Sequence, residues 1–270
     1  MFNQTLVIRK NIGKIKKLIA ELDFTRIHNE ENAKTVNDLL DKTNKNRDEI
    51  LFAFASMEEA ELERSFSFMG QLMFGDQRVE ESGFKQSLLK FHLYEIMLYV
   101  VSNLLSIKHF QLVYKIVSNN YYVSKYQLSA EIESFFGLFG IEAENACNLK
   151  DMVDADENHC ILSLITKRLN KDLATLDEIV SCEIIICEIA TLLGKNYVPY
   201  AAIRYIESKP KMPRNALVIR KMVENDEVIL IDGMPYRFSN VVPIGNLWNE
   251  PEMLDTYTRT STAEAYDTPK

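Results

Sequence analysis

The sequence predicts a mainly α protein: a multi-helical bundle or irregular array of α-hairpins with a small C-terminal β-hairpin. Three observations lead there. Nine glycines and seven prolines in 270 residues are too few for the many tight turns of a sandwich or barrel. Near the N-terminus, Ile8, Ile12, Ile15, Ile19 and Leu22 recur in steps of four and three, one apolar stripe along a helix. From Leu93 to Val101 the chain is apolar on nearly every face, as a helix at the centre of a domain is.

The elements follow in order. Lys10, Lys14 and Lys17 fall on the wet side of the first helix. Asn29-Glu30-Glu31 opens a shorter helix with Ala33, Val36, Leu39 and Leu40 inward. The polar stretch from Lys42 to Asp48 reads as a break before Ile50, Leu51 and Phe54. Glu58, Glu59, Glu61 and Glu63 begin the next helix, where carboxylates favour the positive end of the dipole. Its inner face is Leu62, Phe66, Met69, Leu72 and Met73, and Gly75 to Gly83 is a loop. The most buried helix spans about Phe84 to Ile107 and turns at Lys108-His109 into an antiparallel partner carrying Val113, Ile116 and Val117.

Asn119 to Val123 interrupts the helices, and a further helix carries Leu128, Ile132, Phe135, Phe136 and Phe139. Asn148 to Asn158 is acidic and irregular, and Ile161, Leu162, Ile165 and Leu169 mark a helix beyond it. Thr175 and Glu178 have the spacing of a capping box, Gly194 supplies a helix stop after Leu193, and Pro199 opens a last helix to about Ser208. Ala216 to Arg220, Val228 to Asp232 and Tyr236 to Phe238 read as short strands, with Asp232-Gly233 a hairpin turn. The organisation is a helical domain over 1–208, a small β appendage over 209–248 and a tail over 249–270.

Hydrophobic residues at 47% supply a core, and a net charge of −8 opposes generic attraction to polyanions. The N-terminus lacks the basic-then-apolar order of an export signal, and the longest purely apolar run is Ile96 to Val101. Cys182 and Cys187 lie five apart, about 140° around a helix, which suits neither a bridge nor a shared metal. Free thiols, a cytoplasmic location and no membrane role are the expectation.

Motifs that carry chemistry are few. Asp154, Asp156 and Asn158 begin like a calcium loop, but His159 stands where glycine makes the sharp turn and Ile165 where a bidentate glutamate closes the site. No phosphate-cradling glycine motif, nucleophile elbow or His-Glu-x-x-His is present. The four histidines are scattered, with His92 expected as a satisfied core residue, and the Arg-x4-His spacing of helical HEPN ribonucleases does not occur. Glu207-Ser-Lys209 matches a restriction-type Glu-x-Lys, but at a helix end rather than on a strand. Neither a cofactor nor a metal is expected.

The strongest local signal is charge. Between residues 195 and 221, Lys195, Arg204, Lys209, Lys211, Arg214, Arg220 and Lys221 face one acid, Glu207, with Tyr197, Tyr200 and Tyr205 interleaved. Such a segment suits docking on an acidic protein surface. Alternatively its cations hold phosphates while Tyr200 stacks on a base.

The segments Phe91-His-Leu-Tyr-Glu-Ile-Met-Leu-Tyr-Val-Val-Ser-Asn-Leu-Leu-Ser-Ile-Lys-His-Phe110 and Asn119-Asn-Tyr-Tyr-Val123 resemble helical regions of uncharacterised bacterial proteins associated with mobile antiviral defence loci. There a helical body accompanies an effector domain. The resemblance covers about residues 50 to 123 and consists of hydrophobic helix text. It implies a sensor, scaffold or adaptor and supplies no catalytic residue. The leading expectation is a non-catalytic interaction module with a protein partner or a second copy of itself. A nucleic-acid-binding protein using 195–221 comes next, then a hydrolase with a site assembled from dispersed residues.

Overall fold

A computed structural model describes residues 4–74 apart from 25 and 28, 83–123 apart from 108, 131–149 apart from 142, 160–208, 228–231 and 234–237. The elements are α1 (Gln4–Ala20), α2 (Glu30–Ala55), α3 (Glu59–Phe74), α4 (Gly83–Ser106), α5 (Phe110–Ser118), β1 (Asn120–Val123), β2 (Glu131–Ser134), α6 (Phe135–Phe139), α7 (Ala143–Leu149), α8 (Cys160–Arg168), α9 (Leu176–Leu192), α10 (Tyr200–Ser208), β3 (Val228–Ile231) and β4 (Met234–Arg237). The fold is mainly α, as the periodicity predicts.

Helix α4 is the axis, with 18 of its 24 residues buried on all faces. Helices α1, α2, α7 and α9 pack around it, and α5 folds back along it. Among the described helices it alone is long and apolar enough to cross a bilayer, and 83% of its most apolar stretch is covered by its neighbours. The α1 stripe of Ile8, Ile12, Ile15 and Ile19 is fully buried while Lys10, Lys14 and Lys17 are exposed. Each such isoleucine contributes roughly 1.5–3 kcal/mol by leaving water.

Aromatic rings link the layers. Phe54 of α2 meets Phe66 of α3 at 5.3 Å, Phe66 meets Phe139 of α6 at 5.4 Å, and Tyr121 of β1 meets Phe139 edge-on at 5.5 Å. Gly70 lets α3 approach α6 closely, because a Cβ there would sit 2.5 Å from the Leu138 side chain. Helix ends are closed from outside: Lys16 reaches the Leu72 carbonyl at 2.8 Å, Lys85 the Ala20 carbonyl at 3.2 Å, and Lys90 the Gly137 and Leu138 carbonyls.

The capping signals are present. The Glu178 N–H donates to the Thr175 hydroxyl at 3.2 Å while the Glu178 carboxylate accepts from the Thr175 N–H at 2.8 Å. Gly194 has φ +61°, and the Lys195 N–H returns to the Ala190 carbonyl at 2.8 Å, closing α9 in a Schellman turn. Pro199 sits just ahead of α10, its carbonyl accepting from the Ile203 N–H at 2.9 Å.

Three expectations are corrected. The polar stretch 42–48 is no break: α2 is one helix of 26 residues, with Thr43, Asn46 and Arg47 buried inside it. The expected helix over 128–139 is replaced by strand β2, paired antiparallel to β1 in the register Asn120↔Ser134 to Val123↔Glu131, and by the short α6. The Asn-Tyr-Tyr-Val strand needs a partner for its backbone, and Glu131 to Ser134 supplies it, whereas Ser134 caps Gly137 and restarts the helix. Asn148, expected to open the irregular acidic stretch, is instead helical, because α7 runs on to Leu149. Helix α7 was not anticipated.

At the C-terminus β3 pairs antiparallel with β4, Val228 opposite Arg237 and Ile231 opposite Met234. The Asp232-Gly233 turn, the expected strand 216–220, residues 150–158 of the acidic stretch and the tail lie outside the described residues.

The continuity of α2 is directly testable. Lys45 is exposed and mid-helix, so Lys45→Pro should cost about 3 kcal/mol or more in urea unfolding, by loss of a hydrogen bond and a steric clash. A change below about 0.5 kcal/mol would mean that residues 42–48 are a break.

Candidate functional site

The predicted basic segment is only partly in view. Lys195 is exposed just beyond the glycine that ends α9. Tyr200 and Arg204 stand four residues apart on α10, hence on one helix face, and both are half-buried. Tyr197 is not a surface platform: it is 5% exposed, with its ring 5.9 Å from Phe136 in the core. Lys209, Lys211, Arg214, Arg220 and Lys221 lie outside the described residues. The structure therefore places Tyr200 and Arg204 side by side and Lys195 at the turn before them.

The densest polar chemistry is elsewhere, inside the helical body. Arg47 of α2 donates through Nη1 to Glu95 Oε1 of α4 at 2.6 Å and to the Arg168 carbonyl at 2.7 Å. Its Nε and Nη2 both reach Asp48 Oδ1, at 2.9 and 2.8 Å. Arg168, the last residue of α8, forks onto the same Glu95 carboxylate, with Nε 3.0 Å from Oε1 and Nη2 2.9 Å from Oε2. Its Nη1 donates to the Leu40 carbonyl and, at 3.3 Å, to the Thr43 hydroxyl. The side chains of Arg47, Glu95 and Arg168 are 2%, 2% and 0% exposed. The carbon at the centre of each guanidinium lies over a ring, Arg47 at 5.2 Å from Tyr99 and Arg168 at 5.9 Å from Phe91.

A second ring of contacts holds these in place. Asn170, just past α8, donates its side-chain amide to Asp48 Oδ2 at 3.0 Å and its backbone N–H to the Tyr99 phenol oxygen at 2.8 Å. The network carries two arginines and two carboxylates and balances its own charge. Burial works against the Arg47 charge, but Glu95, Tyr99 and Asp48 outweigh it and lift its pKa above the usual range. Burial likewise pushes the Glu95 carboxyl up, but Arg168 and Arg47 outweigh it and hold it down at about 2. The acid is locked in its ionised form.

His92 lies one turn before Glu95, its Nδ1 4.0 Å from Glu95 Oε2. Neither ring nitrogen has a hydrogen-bond partner among the described residues, so it is a core histidine but not a satisfied one. Burial first, then Arg168 and Arg47, lower its pKa to about 3 against the opposing pull of Glu95.

A second buried acid, Glu183 of α9, is built differently. Its Oε1 meets the Tyr94 hydroxyl of α4 and its Oε2 accepts the Ala202 N–H of α10 at 2.6 Å. Burial pushes this carboxyl up to about 7 despite the lowering effect of those donors.

A small apolar pocket of about 70 Å³ adjoins the arginine network, lined by Leu51, Phe54, Leu62, Tyr99, Leu104 and Leu173 among others. That is well below the roughly 300 Å³ at which ligand clefts begin. The Tyr99 ring stands between it and Arg47. Among the described residues no group of three metal-ligating side chains converges, and Cys147, Cys182 and Cys187 are free thiols. Chemically, the network fastens α2, α4 and α8 to one another, its ionised atoms engaged with one another and with backbone carbonyls.

No protein-family model, curated protein or solved structure matches this chain.

The charge states set a pH profile in which His92 and Glu183 oppose each other above about pH 4.5. His92 binds its proton near 6.5 when unfolded and only at about 3 when folded, so its stability contribution is lost as pH falls from about 6.5 to 3. Glu95, ordinary near 4.5 and held at about 2, adds its loss below about 4.5. Glu183 has the opposite sign, so stability rises as pH falls from about 7 to 4.5. His92→Leu should therefore leave the Glu183 effect unopposed, so that stability climbs as pH falls from about 7 to 4.5 before the steep acid limb below it. Urea midpoints measured across this range check it, and an unchanged profile in the variant would contradict it.

Proposed function

We propose that this chain is a non-catalytic helical interaction module, a sensor or adaptor subunit that docks a protein partner in the cytoplasm as part of a bacterial antiviral defence complex. The observation that carries the reading is the contrast between a buried, self-neutralised ion network and one strongly basic stretch of sequence. The strongest ionisable groups of the helical body, Arg47, Glu95 and Arg168, are spent on holding three helices together and present almost nothing to solvent. Along the sequence, basic charge is concentrated in the segment 195–221, with seven basic residues against one acid in a chain of net −8. A basic stripe on an acidic protein steers and orients an acidic partner more than it supplies raw affinity.

Two further features support a docking role. Phe52 of α2 and Ile107, in the turn just past α4, stand 58% and 55% exposed and give a partner apolar contact. Tyr200 and Arg204 share one half-buried face of α10, the combination of aromatic and arginine that is enriched where interfaces hold most of their energy. The defence context rests on the resemblance of residues 50 to 123.

Co-expression with the products of neighbouring genes tests the reading. Tagged wild-type chain should retain a protein partner that the charge-reversed Arg214→Glu, Arg220→Glu variant loses while keeping its fold. The same variant should leave affinity for a plain single-stranded oligonucleotide negligible before and after. Micromolar oligonucleotide binding whose log–log salt slope is about 0.7 per phosphate contact, lost in the variant, would instead establish nucleic acid as the ligand.

A further inference from the structure

Glu183 is a buried carboxyl on which, among the described residues, no cation acts. It lies in the middle of α9 at 0% exposure, and its side chain joins that helix to two others, α4 and α10. One oxygen meets the Tyr94 hydroxyl from α4, and the other takes the Ala202 N–H at 2.6 Å, with the Ala201 N–H also donating to the carboxyl. These amides belong to the first turn of α10, so an α9 side chain closes the open backbone groups of a neighbouring helix. Glu95, equally buried, has two guanidiniums on its carboxylate.

The surroundings of Glu183 are uncharged. From α4 it faces the Tyr94 phenol, and Tyr197 acts on that phenol from beyond it. From its own helix the Cys182 thiol is adjacent, itself buried and pushed up by burial and by Glu183. The cations of the other packed elements are turned elsewhere: Lys115 of α5 pairs with Glu63 at 2.6 Å, and Arg168 of α8 with Glu95. Among the described residues no cation acts on Glu183.

We infer that Glu183 is a proton-operated latch for α10: while the carboxyl keeps its proton it holds α10 on α9 and α4, and on releasing that proton to solvent it drives α10 to open and admit water. In the protonated state the carboxyl O–H can donate to the Tyr94 oxygen while the other oxygen still accepts the α10 amides, and no charge is buried. In the ionised state Tyr94 turns to donate, and three donors face the charge. These donors do not replace bulk hydration, because burial outweighs them and lifts the carboxyl to about 7.

Helix α10 is the element that yields. It has nine residues, and among its described side chains the buried ones are Ala201, Ala202 and Ile203, two of them small, with Tyr200 and Tyr205 partly buried beside them. Once it lifts, Glu183 returns towards an ordinary value near 4.5. The closed state therefore binds the proton more tightly between about 4.5 and 7, and closure weakens as pH rises through that window. Because α10 carries Tyr200 and Arg204, opening also changes the surface offered to a partner. That consequence rests on the proposed docking role, whereas the latch does not.

Hydrogen exchange of the full chain at pH 6 and pH 8, corrected for intrinsic rates, reads the latch directly. With the two pKa values above, the opening constant of α10 should rise about tenfold over that interval relative to amides in the middle of α2. Glu183→Gln keeps an acceptor for the α10 amides but has no proton to lose, so the ratio should stay flat. Tyr94→Phe removes a donor to the ionised form and should move the rise to higher pH, which keeps the test decisive if Glu183→Gln does not fold. A wild-type ratio that is flat between pH 6 and 8, the same rise in Glu183→Gln, or an unmoved rise in Tyr94→Phe would each overturn the latch. None of these outcomes depends on whether a partner binds.

Discussion

A buried carboxylate between two arginines organises this protein. Glu95 sits in the central helix α4 and is gripped by Arg47 from α2 and Arg168 from the end of α8, all within 2.6 to 3.1 Å and almost entirely out of water. Apolar side chains tolerate small slides past one another, because burial is non-directional. A desolvated ion triad does not, since any slide leaves a charge unpaired in a low-dielectric interior. The triad therefore sets the register of three helices. It also enlists the backbone: the Arg168 carbonyl accepts from Arg47, and the Leu40 carbonyl from Arg168.

The rest of the fold extends this arrangement outward. Asn46 donates to Asn11 at 2.8 Å, pinning α1 to the same stretch of α2 that carries Arg47. Asn170 ties the α8–α9 connection to both Asp48 and Tyr99. Around these polar pins the aromatic rings of α2, α3, β1 and α6 fill the volume, and lysines from neighbouring helices close helix ends. Glu183 forms a second, weaker centre where α9 meets α4 and α10. The first centre is locked by compensating charge and the second is poised by its absence. Rigidity at the axis and a movable last helix follow from the same physics applied to two acids.

Much of the architecture was legible in the sequence, and where it was not the reason is specific. The Ile8 to Ile19 stripe, the Thr175–Glu178 box and the Gly194 stop are local signals, and each produced the element expected. Residues 42–48 misled because polarity was read as exposure: Thr43, Asn46 and Arg47 look like a surface run, yet their partners Arg168, Asn11 and Glu95 lie up to 125 residues away. Their signal was indirect. A lone glutamate amid Leu93, Tyr94, Ile96 and Met97 has to find a cation, whereas Glu183 among Val180, Ile184 and Ile185 finds hydrogen-bond donors instead. Tyr197, counted with the basic segment by proximity in sequence, belongs to the core. Periodicity also failed at 131–134, where β1 imposes pairing on a stretch too short to declare itself.

The central claim is that the arginines and Glu95 act as one unit, and a double-mutant cycle measures it. Urea unfolding of Glu95→Gln, Arg168→Met and the double variant at neutral pH gives the coupling free energy. The account predicts that Glu95→Gln alone costs about 3–5 kcal/mol by stranding buried arginines, and that the double variant loses well under the sum of the two single changes. Additive losses, or a Glu95→Gln cost below about 0.5 kcal/mol, would contradict it.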